Sequence, residues 1–325
     1  MSTQIQVVNA TPSPAEMAAS LDGTARLAPV ALFVYNRPDH TRRTVEALQR
    51  NKLAPQSDLF VFADGARSQA GAAGVQQVRQ FIRGIKGFRS ITLIERERNF
   101  GLANSVIDGI SQMMRDFDRA IAVEDDLLTS PDFLTYINVA LDRYANEHQV
   151  FSVSGFNYPI AAPGSYSFDA YFVYCPMCWG WGSWKDRWQK IDWSVSDYPA
   201  FITDREQQKK FNRGGSDLSW MLARQMAGKI DSWDIIWTYS HFKHDAVALL
   251  PVVSKVYNIG FDKSGTHCRR SPFKQAPLTS ETCSDYRFPE FIHLDPYFVA
   301  EIERLRHRSL PRRLGRLIYD QLGLK

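Results

Sequence analysis

Four short apolar runs recur along the first half of the chain at nearly constant spacing. They cover residues 30–34 (VALFV), 59–62 (LFVF), 91–94 (ITLI) and 120–123 (AIAV). Each run is apolar at consecutive rather than alternating positions, which predicts strands covered on both faces, as in a parallel sheet. Residues 150–153 predict a further strand of the same kind.

The segments between these runs repeat their apolar positions with the period of a helix. We predict helices over 42–49, 75–85, 103–117 and 130–145, the last with Pro131 in its first turn. Strands and helices that alternate in this way indicate an α/β fold. We therefore expect a Rossmann-like, mixed but mostly parallel sheet flanked by helices.

Polar side chains follow each of the first four predicted strands. They are Asn36 and Arg37, then Asp64, then Arg98 and Asn99, and finally Glu124, Asp125 and Asp126. Ligands of open α/β sheets bind beyond the carboxyl ends of the strands. The pattern therefore predicts that these groups converge on one edge of the sheet and form a single site.

The acidic run Glu124-Asp125-Asp126 carries the strongest chemical signal in the chain. Carboxylates held a few ångströms apart repel by roughly 4 kcal/mol per pair at an effective dielectric near 20, so a nearby cation is expected. Oxygen ligands favour a hard divalent metal such as Mn²⁺ or Mg²⁺. The alternative is an exposed acidic turn before the next helix, since Ser130, Pro131 and Asp132 are typical of a helix start.

The turn after the first strand disfavours two classes of nucleotide-binding protein. Residues 35–41 (YNRPDHT) contain no glycine. The glycine-rich turn that lets a backbone enclose phosphates is therefore missing, which disfavours a dinucleotide-dependent dehydrogenase and a P-loop enzyme. If a nucleoside diphosphate binds here, side chains and a metal must balance its charge.

The second half of the chain has a different character. Residues 158–198 hold five of the eight tryptophans and show little periodicity, which predicts a long ordered loop region packed around aromatic side chains. Cys175 and Cys178 have the spacing of zinc ligands, and Cys268 could complete such a site. We favour the simpler interpretation, in which the four cysteines are reduced and buried thiols.

Length and charge limit the remaining possibilities. The 325 residues are 44% hydrophobic with a net charge of +4, and no apolar run reaches the roughly 18 residues of a membrane span. The charge pattern does not indicate a nucleic-acid binder. Residues 1–27 lack the pattern of a signal peptide and predict a flexible tail. We expect a cytoplasmic protein.

The C-terminal residues 301–325 are basic, with seven Lys or Arg against three acids and leucines interspersed. This pattern favours a basic amphipathic tail that contacts an anionic membrane face, here the inner membrane, peripherally and reversibly. A terminal helix packed on the domain with a solvated basic face explains the pattern equally well.

Four motifs in order along the chain resemble those of GT-A fold nucleotide-sugar glycosyltransferases. They are Val34-Tyr-Asn-Arg37, Ala63-Asp64-Gly65, Arg98-Asn99-Phe-Gly101-Leu102-Ala103 and Glu124-Asp125-Asp126. The resemblance covers residues 29–268 and is closest to family-2-like bacterial enzymes and to N-acetylglucosaminyltransferase I. The segments 178–184 (CWGWGSW) and 251–268 also resemble this family, the second as the loop that closes over the diphosphate.

The resemblance implies roles for the polar residues. Asp64 would contact the uracil ring or its equivalent, while Asn36, Arg37 and Asn99 would hold the nucleoside. Arg98 would be a further residue that binds the nucleotide sugar. Asp125 would touch the ribose or the donor sugar, with Glu124 facing the sugar. Asp126 would be the principal metal ligand, and His267 would either complete the metal shell or bond a phosphate oxygen.

Transfer to an acceptor hydroxyl also needs a carboxylate that takes the hydroxyl proton. In the related enzymes this acid lies in a Trp-Asp-Asp-Trp segment. The matching stretch here, residues 231–237 (DSWDIIW), departs from that pattern and leaves Asp234 and Asp231 as candidates, of which we favour Asp234. Trp220, Trp233 and Trp237 would suit stacking on a sugar, although tryptophans at such spacing are more often core residues.

These observations predict four regions: a flexible tail (1–27), a nucleotide-sugar-binding α/β half (28–155), an acceptor-binding and catalytic half of the same domain (156–270), and a C-terminal extension (271–325). The predicted function is metal-dependent, inverting transfer of a hexosyl or N-acetylhexosaminyl group from a UDP-sugar to a glycan or lipid-linked glycan, in bacterial surface polysaccharide biosynthesis. The alternatives are a sugar nucleotidyltransferase and a non-catalytic glycan-binding or scaffold protein on the same fold.

Overall fold

A nine-stranded mixed β-sheet runs through the computed structural model, which describes residues 4–7, 27–262 and 275–306. In order across the sheet, its strands are β1 (Gln4–Val7), β4 (Ser90–Glu95), β3 (Asp58–Ala63), β2 (Val30–Val34), β5 (Arg119–Glu124), β9 (Trp181–Trp184), β7 (Val150–Ser154), β10 (Val247–Pro251) and β8 (Ala170–Val173). A small antiparallel sheet pairs β6 (Leu127–Thr129) with β11 (Val256–Asn258).

The strand directions confirm the predicted α/β architecture. Strands β4, β3, β2 and β5 are mutually parallel, and β7 and β10 run the same way on the far side of β9. Strands β1, β9 and β8 run in the opposite direction. The carboxyl ends of the parallel strands therefore meet at one edge, as the polar residues after each run predicted.

Helices cover both faces of the sheet. They are α1 (Pro38–Gln49), α2 (Gln69–Ile82), α3 (Leu102–Asp116), α4 (Phe133–Arg143), α5 (Lys185–Trp188), α6 (Tyr198–Phe201), α7 (Arg205–Phe211), α8 (Leu218–Met226), α9 (Trp233–Lys243) and α10 (Pro296–Arg306). Helix α2 begins six residues before the prediction, because its first turn is rich in Ala and Gly and shows no apolar period. Helix α4 begins at Phe133 rather than at Ser130.

Strand β2 shows why its apolar run is continuous. Val30, Leu32 and Val34 pack into the core on one face of the sheet, whereas Ala31 and Phe33 pack into the core on the other face. All five residues are at most 5% exposed. Burying side chains of this size contributes roughly 1.5–3 kcal/mol each, so coverage of both faces stabilises the strand.

The aromatic-rich segment 158–198 is less loop-like than predicted, because it contains β8, β9 and α5. Strand β9, from the predicted region 156–270, pairs antiparallel with both β5 and β7, from the predicted region 28–155. It therefore joins these two regions in one sheet. Trp181 on this strand contacts Trp237, with ring centroids 4.5 Å apart. The aromatic residues thus form part of the core beneath the sheet.

The two ends of the chain are described only in part. Within the predicted flexible tail, β1 forms an edge strand paired antiparallel with β4, which the sequence did not indicate. Residues 1–3, 8–26, 263–274 and 307–325 lie outside the described part of the structure, and with them His267, Cys268 and most of the basic tail. Among the helices that are described, none is both long and apolar enough to cross a membrane.

Candidate active site

Asp64 organises the first part of the site immediately after β3. Its carboxylate accepts hydrogen bonds from the backbone N–H of Phe100 at 2.9 and 3.1 Å, and from the Asn99 side-chain amide at 3.0 Å. The N–H groups of Gly65 and Gly101 add bonds of 3.0 and 3.2 Å. Burial raises the pKa of Asp64 although these bonds act to lower it. Asp64 therefore fixes the 98–101 loop, and its contact with a nucleobase stays a prediction.

Arg96 supports the same loop and was not singled out from the sequence. It is 2% exposed, and its guanidinium donates to Asp108 at 2.8 Å and to the side chain of Ser105. The guanidinium carbon also lies 4.3 Å from the Phe100 ring centroid. Burial lowers the pKa of Arg96 against the opposing effect of Asp108 and Asp64. An arginine in a segment of alternating charge gave no signal of burial.

Asn36 and Arg98 border this loop in different ways. The backbone of Asn36 packs under α2, where a Cβ on Gly74 would come within 2.6 Å of the Asn36 carbonyl oxygen. The Arg98 backbone passes close to Gly65. A Cβ added at Gly65 would lie 2.4 Å from the Arg98 carbonyl carbon. The Arg98 side chain is exposed, 5.4 Å from the Phe100 ring centroid. The structure thus brings Asn36, Asp64, Arg98 and Asn99 to one edge.

The acidic turn, Glu124 to Asp126, lies at the end of β5 beside Arg37. The Arg37 guanidinium donates to Asp126 at 2.8 Å and to Asp125 through the same nitrogen. Burial alone would lower the pKa of Arg37, but Asp125 and Asp126 outweigh it and raise this pKa. The pKa of Asp125 is nevertheless raised, because burial outweighs its attraction to Arg37. The Arg37 guanidinium therefore balances part of the negative charge from which the sequence predicted a metal.

The segment after β11 closes against this turn. The N–H of Ile259 donates to the Asp126 carbonyl at 2.8 Å. Gly260 packs so tightly that a Cβ would lie 2.1 Å from Asp126 Oδ2. Asp262 Oδ2 approaches His40 Nε2 at 3.2 Å. The predicted closing loop thus starts in contact with the acidic turn.

Glu124 faces a third element, the start of α9. Burial is the main cause of its raised pKa, and repulsion from Asp126, Asp125 and Asp234 raises it further. The pKa of Cys178 is likewise raised by burial and by the same two acids, Asp234 and Glu124. These effects place Glu124, Asp234 and Cys178 in one neighbourhood.

The two candidate bases occupy different places. Asp234 lies in the first turn of α9, where the Ser232 hydroxyl donates to its Oδ1. Asp231 instead lies beside Gly101, where a Cβ would be 3.4 Å from Asp231 Oδ2. The structure therefore associates Asp234 with the acidic turn and Asp231 with the loop around Asp64.

The acidic turn fits a divalent cation only in part. Asp125 Oδ2 is buried without a hydrogen-bond partner, and carboxylate oxygens are the donors that Mg²⁺ and Mn²⁺ prefer. However, across residues 4–7, 27–262 and 275–306 there is no group of three His, Cys, Asp or Glu residues placed to hold a metal. His267 lies outside this range. The described residues thus offer ligands without completing a shell.

The tryptophans considered for sugar stacking are mostly core residues. Trp233 and Trp237 are 3% and 1% exposed and contact each other with centroids 5.3 Å apart. Trp220 is half-buried, with the Arg224 guanidinium 5.0 Å from its ring. The burial of Trp233 and Trp237 therefore leaves little surface on either ring for a sugar.

Comparison with known proteins finds weak similarity to solved structures. No family model matches the chain, and no curated protein matches it. One similar solved structure is a mannosyltransferase from Pyrobaculum calidifontis in complex with GDP-Man and Mn²⁺. It has 16% identity and a TM-score of 0.28, and the match covers 43% of this chain and 40% of that one.

Two further structures are similar over a larger part of the chain. TarS of S. aureus (residues 1–349) has 10% identity and a TM-score of 0.40, covering 73% of this chain and 61% of that one. The galactosyltransferase LgtC with donor and acceptor sugar analogues has 11% identity and a TM-score of 0.34, covering 66% and 70%. This chain thus spans less than two thirds of the first two structures, and their substrates remain properties of those proteins. The narrower resemblance to N-acetylglucosaminyltransferase I stays a prediction.

Proposed function

We propose that this protein is an inverting glycosyltransferase that moves a sugar from a nucleoside diphosphate sugar, a UDP-sugar, to a hydroxyl of a glycan or lipid-linked glycan. The observation that carries the proposal is the convergence of the loop around Asp64 and of the acidic turn with Arg37 on the carboxyl edge of the sheet. A donor site with a positive charge beside the acidic turn, together with a nearby carboxylate that can act as a base, is the arrangement that this reaction needs.

The nucleoside would lie over the loop that Asp64 organises, bordered by Asn36, Arg98 and Asn99. The diphosphate would extend toward Arg37 and the acidic turn. When bound there, Mn²⁺ or Mg²⁺ would be held principally by Asp126 and would offset the charge of the departing diphosphate. His267 is proposed either as a further ligand or as a hydrogen-bond donor to a phosphate oxygen. Arg37 supplies a fixed positive charge in the same place.

Asp234 is the proposed general base. Its Oδ1 accepts from Ser232, whereas no donor to its Oδ2 is found in the described part of the chain. Oδ2 can therefore take the proton of the acceptor hydroxyl as the hydroxyl oxygen attacks the anomeric carbon and the nucleoside diphosphate leaves. Glu124 is proposed to face the donor sugar.

Purified Asp234→Asn and Asp231→Asn variants test this assignment. Loss of a general base lowers the rate about 10²- to 10⁴-fold, so we expect that loss in Asp234→Asn with donor affinity unchanged. Asp231→Asn, with the same change of charge three residues away, should keep most activity. NMR of the product should show inversion at the anomeric carbon.

Two results would contradict the proposal. Absence of transfer by the unmodified chain, together with glycan binding that is unchanged in both Asp234→Asn and Asp231→Asn, would favour a non-catalytic glycan-binding protein. Release of pyrophosphate from a nucleoside triphosphate and a sugar phosphate would instead identify a nucleotidyltransferase.

The place of this reaction in the cell is a separate part of the proposal. The basic segment 301–325 would bring the enzyme to an anionic membrane surface, where lipid-linked glycans for bacterial surface polysaccharides are built. Its described portion belongs to α10, which carries Arg304 and Arg306 in its last turn.

A further inference from the structure

The tryptophan just before β9, Trp179, is partly exposed and lies among aromatic side chains. Its ring contacts the ring of Phe156, with centroids 4.7 Å apart, and the ring of Phe261, with centroids 5.5 Å apart. Trp181, two residues later, is 2% exposed. Trp179 therefore combines contacts that fix its ring with a ring surface that solvent still reaches.

The pairing of β9 places Trp179 at the carboxyl edge of the sheet. Strand β9 runs antiparallel to β5, and Trp181 lies opposite Ala122. Two residues farther toward this edge, β5 ends at Glu124, the first residue of the acidic turn. Trp179 is the residue two positions before Trp181, so the line of β9 brings it to the same level as Glu124.

Gly180 directs the Trp179 side chain away from the buried tryptophans. Gly180 has a φ of +59°, a left-handed conformation that residues with a Cβ rarely adopt, and a Cβ there would lie 2.8 Å from Cγ1 of Val256. Residues two apart on a regular strand share one face. Trp181 packs into the core on one face of the sheet, whereas Trp179 packs against the core on the other. The turn at Gly180 thus reverses the direction of one ring.

The segment after β11 connects this ring to the acidic turn. Gly260 packs against Asp126, where a Cβ on Gly260 would lie 2.1 Å from Asp126 Oδ2. Phe261 is the next residue, so its Cα lies about 3.8 Å from that of Gly260. The ring of Phe261 is one of the two that contact Trp179. The aromatic pair of Trp179 and Phe261 therefore borders the place at which a diphosphate is proposed to bind.

An aromatic pair beside a diphosphate site suits a sugar ring. One face of a pyranose presents C–H groups and is apolar, while most of its hydroxyls point outward from the rim. The face of an indole ring carries partial negative charge, so it attracts such C–H groups as it attracts the positive edges of other rings. In a nucleoside diphosphate sugar, the sugar is bonded directly to the terminal phosphate. A diphosphate at the acidic turn therefore holds its sugar close to this pair.

We propose that Trp179 is a specificity-determining residue for the donor, whose ring stacks on the apolar face of the transferred sugar. Phe156 and Phe261 hold that ring in place. The inference rests on the proposed function, because it needs a nucleoside diphosphate sugar at the acidic turn. It assigns Trp179 to the sugar and not to the nucleoside, which is proposed to lie over the loop around Asp64. Loss of the Trp179 ring should therefore weaken binding of a UDP-sugar and leave binding of UDP unchanged.

Isothermal titration calorimetry in the presence of Mn²⁺ measures this difference. The probes are UDP, UDP-glucose, UDP-galactose and UDP-N-acetylglucosamine. They are titrated into the unmodified chain and into Trp179→Leu, which keeps an apolar side chain but removes the ring. For the UDP-sugar that the unmodified chain binds most tightly, we expect Trp179→Leu to bind about tenfold more weakly, as for one lost aromatic contact. UDP should bind both proteins equally, and Trp179→Phe should recover most of the affinity for the UDP-sugar.

Trp193→Leu is the matched control. Trp193 is also partly exposed and contacts another tryptophan, Trp188, with centroids 4.9 Å apart. It follows α5, whose first residue, Lys185, donates its N–H to the carbonyl of Asp118 just before β5, at the edge opposite the acidic turn. Trp193→Leu should bind UDP and the UDP-sugar as the unmodified chain does. Trp179→Met, with a flexible apolar side chain that fills irregular gaps, replaces Trp179→Leu if the latter does not fold.

Three results would overturn the inference. Equal weakening of UDP and the UDP-sugar in Trp179→Leu would show that the ring only supports the fold. Unchanged affinity for the UDP-sugar would show that the sugar does not contact Trp179, and the proposed function would then stand without it. If the unmodified chain bound neither UDP nor any of the UDP-sugars, the proposed function would fail together with this inference.

Discussion

Arg37 decides how the charge of the acidic turn is balanced. Its guanidinium, with a side chain 19% exposed, bonds Asp125 and Asp126 at the same time. Two carboxylates that would otherwise repel are thereby held together at the end of β5. A divalent cation bound at Asp126 would lie beside this arginine. The arginine and the cation would then both offset the negative charge of the acidic turn.

Replacing Arg37 should therefore make the stability of the fold depend on a bound cation. Arg37→Gln leaves two partly buried carboxylates without their partner, which we expect to cost about 2 kcal/mol of unfolding free energy, less than the 3–5 kcal/mol of a fully buried pair. Mn²⁺ at 100 times its dissociation constant returns about 2.7 kcal/mol if it binds the folded state alone. Thermal unfolding with and without Mn²⁺ measures both effects.

Arg42→Gln is the matched control, because Arg42 pairs with Asp39 and Glu46 on the exposed surface of α1. Such pairs contribute at most about 1 kcal/mol, and the Arg42→Gln variant should respond to Mn²⁺ as the unmodified chain does. An Arg37→Gln variant whose melting temperature did not change on addition of Mn²⁺ would argue against a cation at the acidic turn.

His241 should make stability depend on pH. It is fully buried on α9, with Nδ1 2.9 Å from the Trp237 carbonyl and Nε2 2.9 Å from the Ser152 hydroxyl. Burial lowers its pKa to about 4. In the unfolded chain a histidine has a pKa near 6.5, so between these values the unfolded state binds the proton. The stabilisation is present above pH 6.5 and is lost as the pH falls toward 4.

At pH 5 the loss should be about 2 kcal/mol relative to pH 7. Urea unfolding at both pH values measures it, and His241→Gln should show a difference smaller by that amount. His293→Gln, at an exposed position in the C-terminal extension, should keep the full difference. Identical pH dependence in His241→Gln and the unmodified chain would show that another group is responsible.

At the scale of elements, a buried ion pair ties three distant segments together. Asp132 is fully buried before α4 and accepts bonds of 2.7 Å from Lys255, 2.7 Å from Tyr286 and 3.1 Å from the Cys283 N–H. Burial alone would raise the pKa of Asp132, but Lys255 and the other donors outweigh it and lower this pKa. The pair joins the start of α4, the segment before β11 and the C-terminal extension.

Asp132→Ala should be strongly destabilising for this reason. Removal of one partner leaves Lys255 charged and buried, which costs about 3–5 kcal/mol. Lys243→Ala, which breaks an exposed pair with Asp197, should cost at most about 1 kcal/mol. Denaturant midpoints at pH 7 compare the two, and an equal small effect would mean that the Asp132 contact does not stabilise the fold.

The sequence predicted elements better than it predicted their partners. The apolar runs predicted the ends of β2, β3, β4, β5 and β7 to within one residue. They did so because a strand that is buried on both faces is apolar at consecutive positions. Asp132 carried only the local trace of a helix start, and its partner Lys255 lies 123 residues away. The pairing of Arg37 with Asp125 likewise spans 88 residues, so neither ion pair has a local signature.

At the scale of the whole molecule, β9 shows that the predicted regions 28–155 and 156–270 share one sheet. This strand belongs to the region 156–270, yet it hydrogen-bonds to β5 and β7 of the region 28–155. Without it, two inner strands would each expose an edge with unpaired backbone groups. Its four residues, WGSW, are too short to show a period, so the sequence predicts a loop where the structure has a strand.

We therefore expect the two regions to unfold together. All eight tryptophans lie between residues 179 and 237, so their fluorescence reports only on the second region, whereas far-UV circular dichroism reports on both. If β9 couples the regions, the two signals should give one coincident transition in urea. An isolated fragment of residues 28–155, left with the unpaired edges of β5 and β7, should show no cooperative transition. Separated transitions, or a fragment that folds alone, would mean that the sheet is divisible at β9.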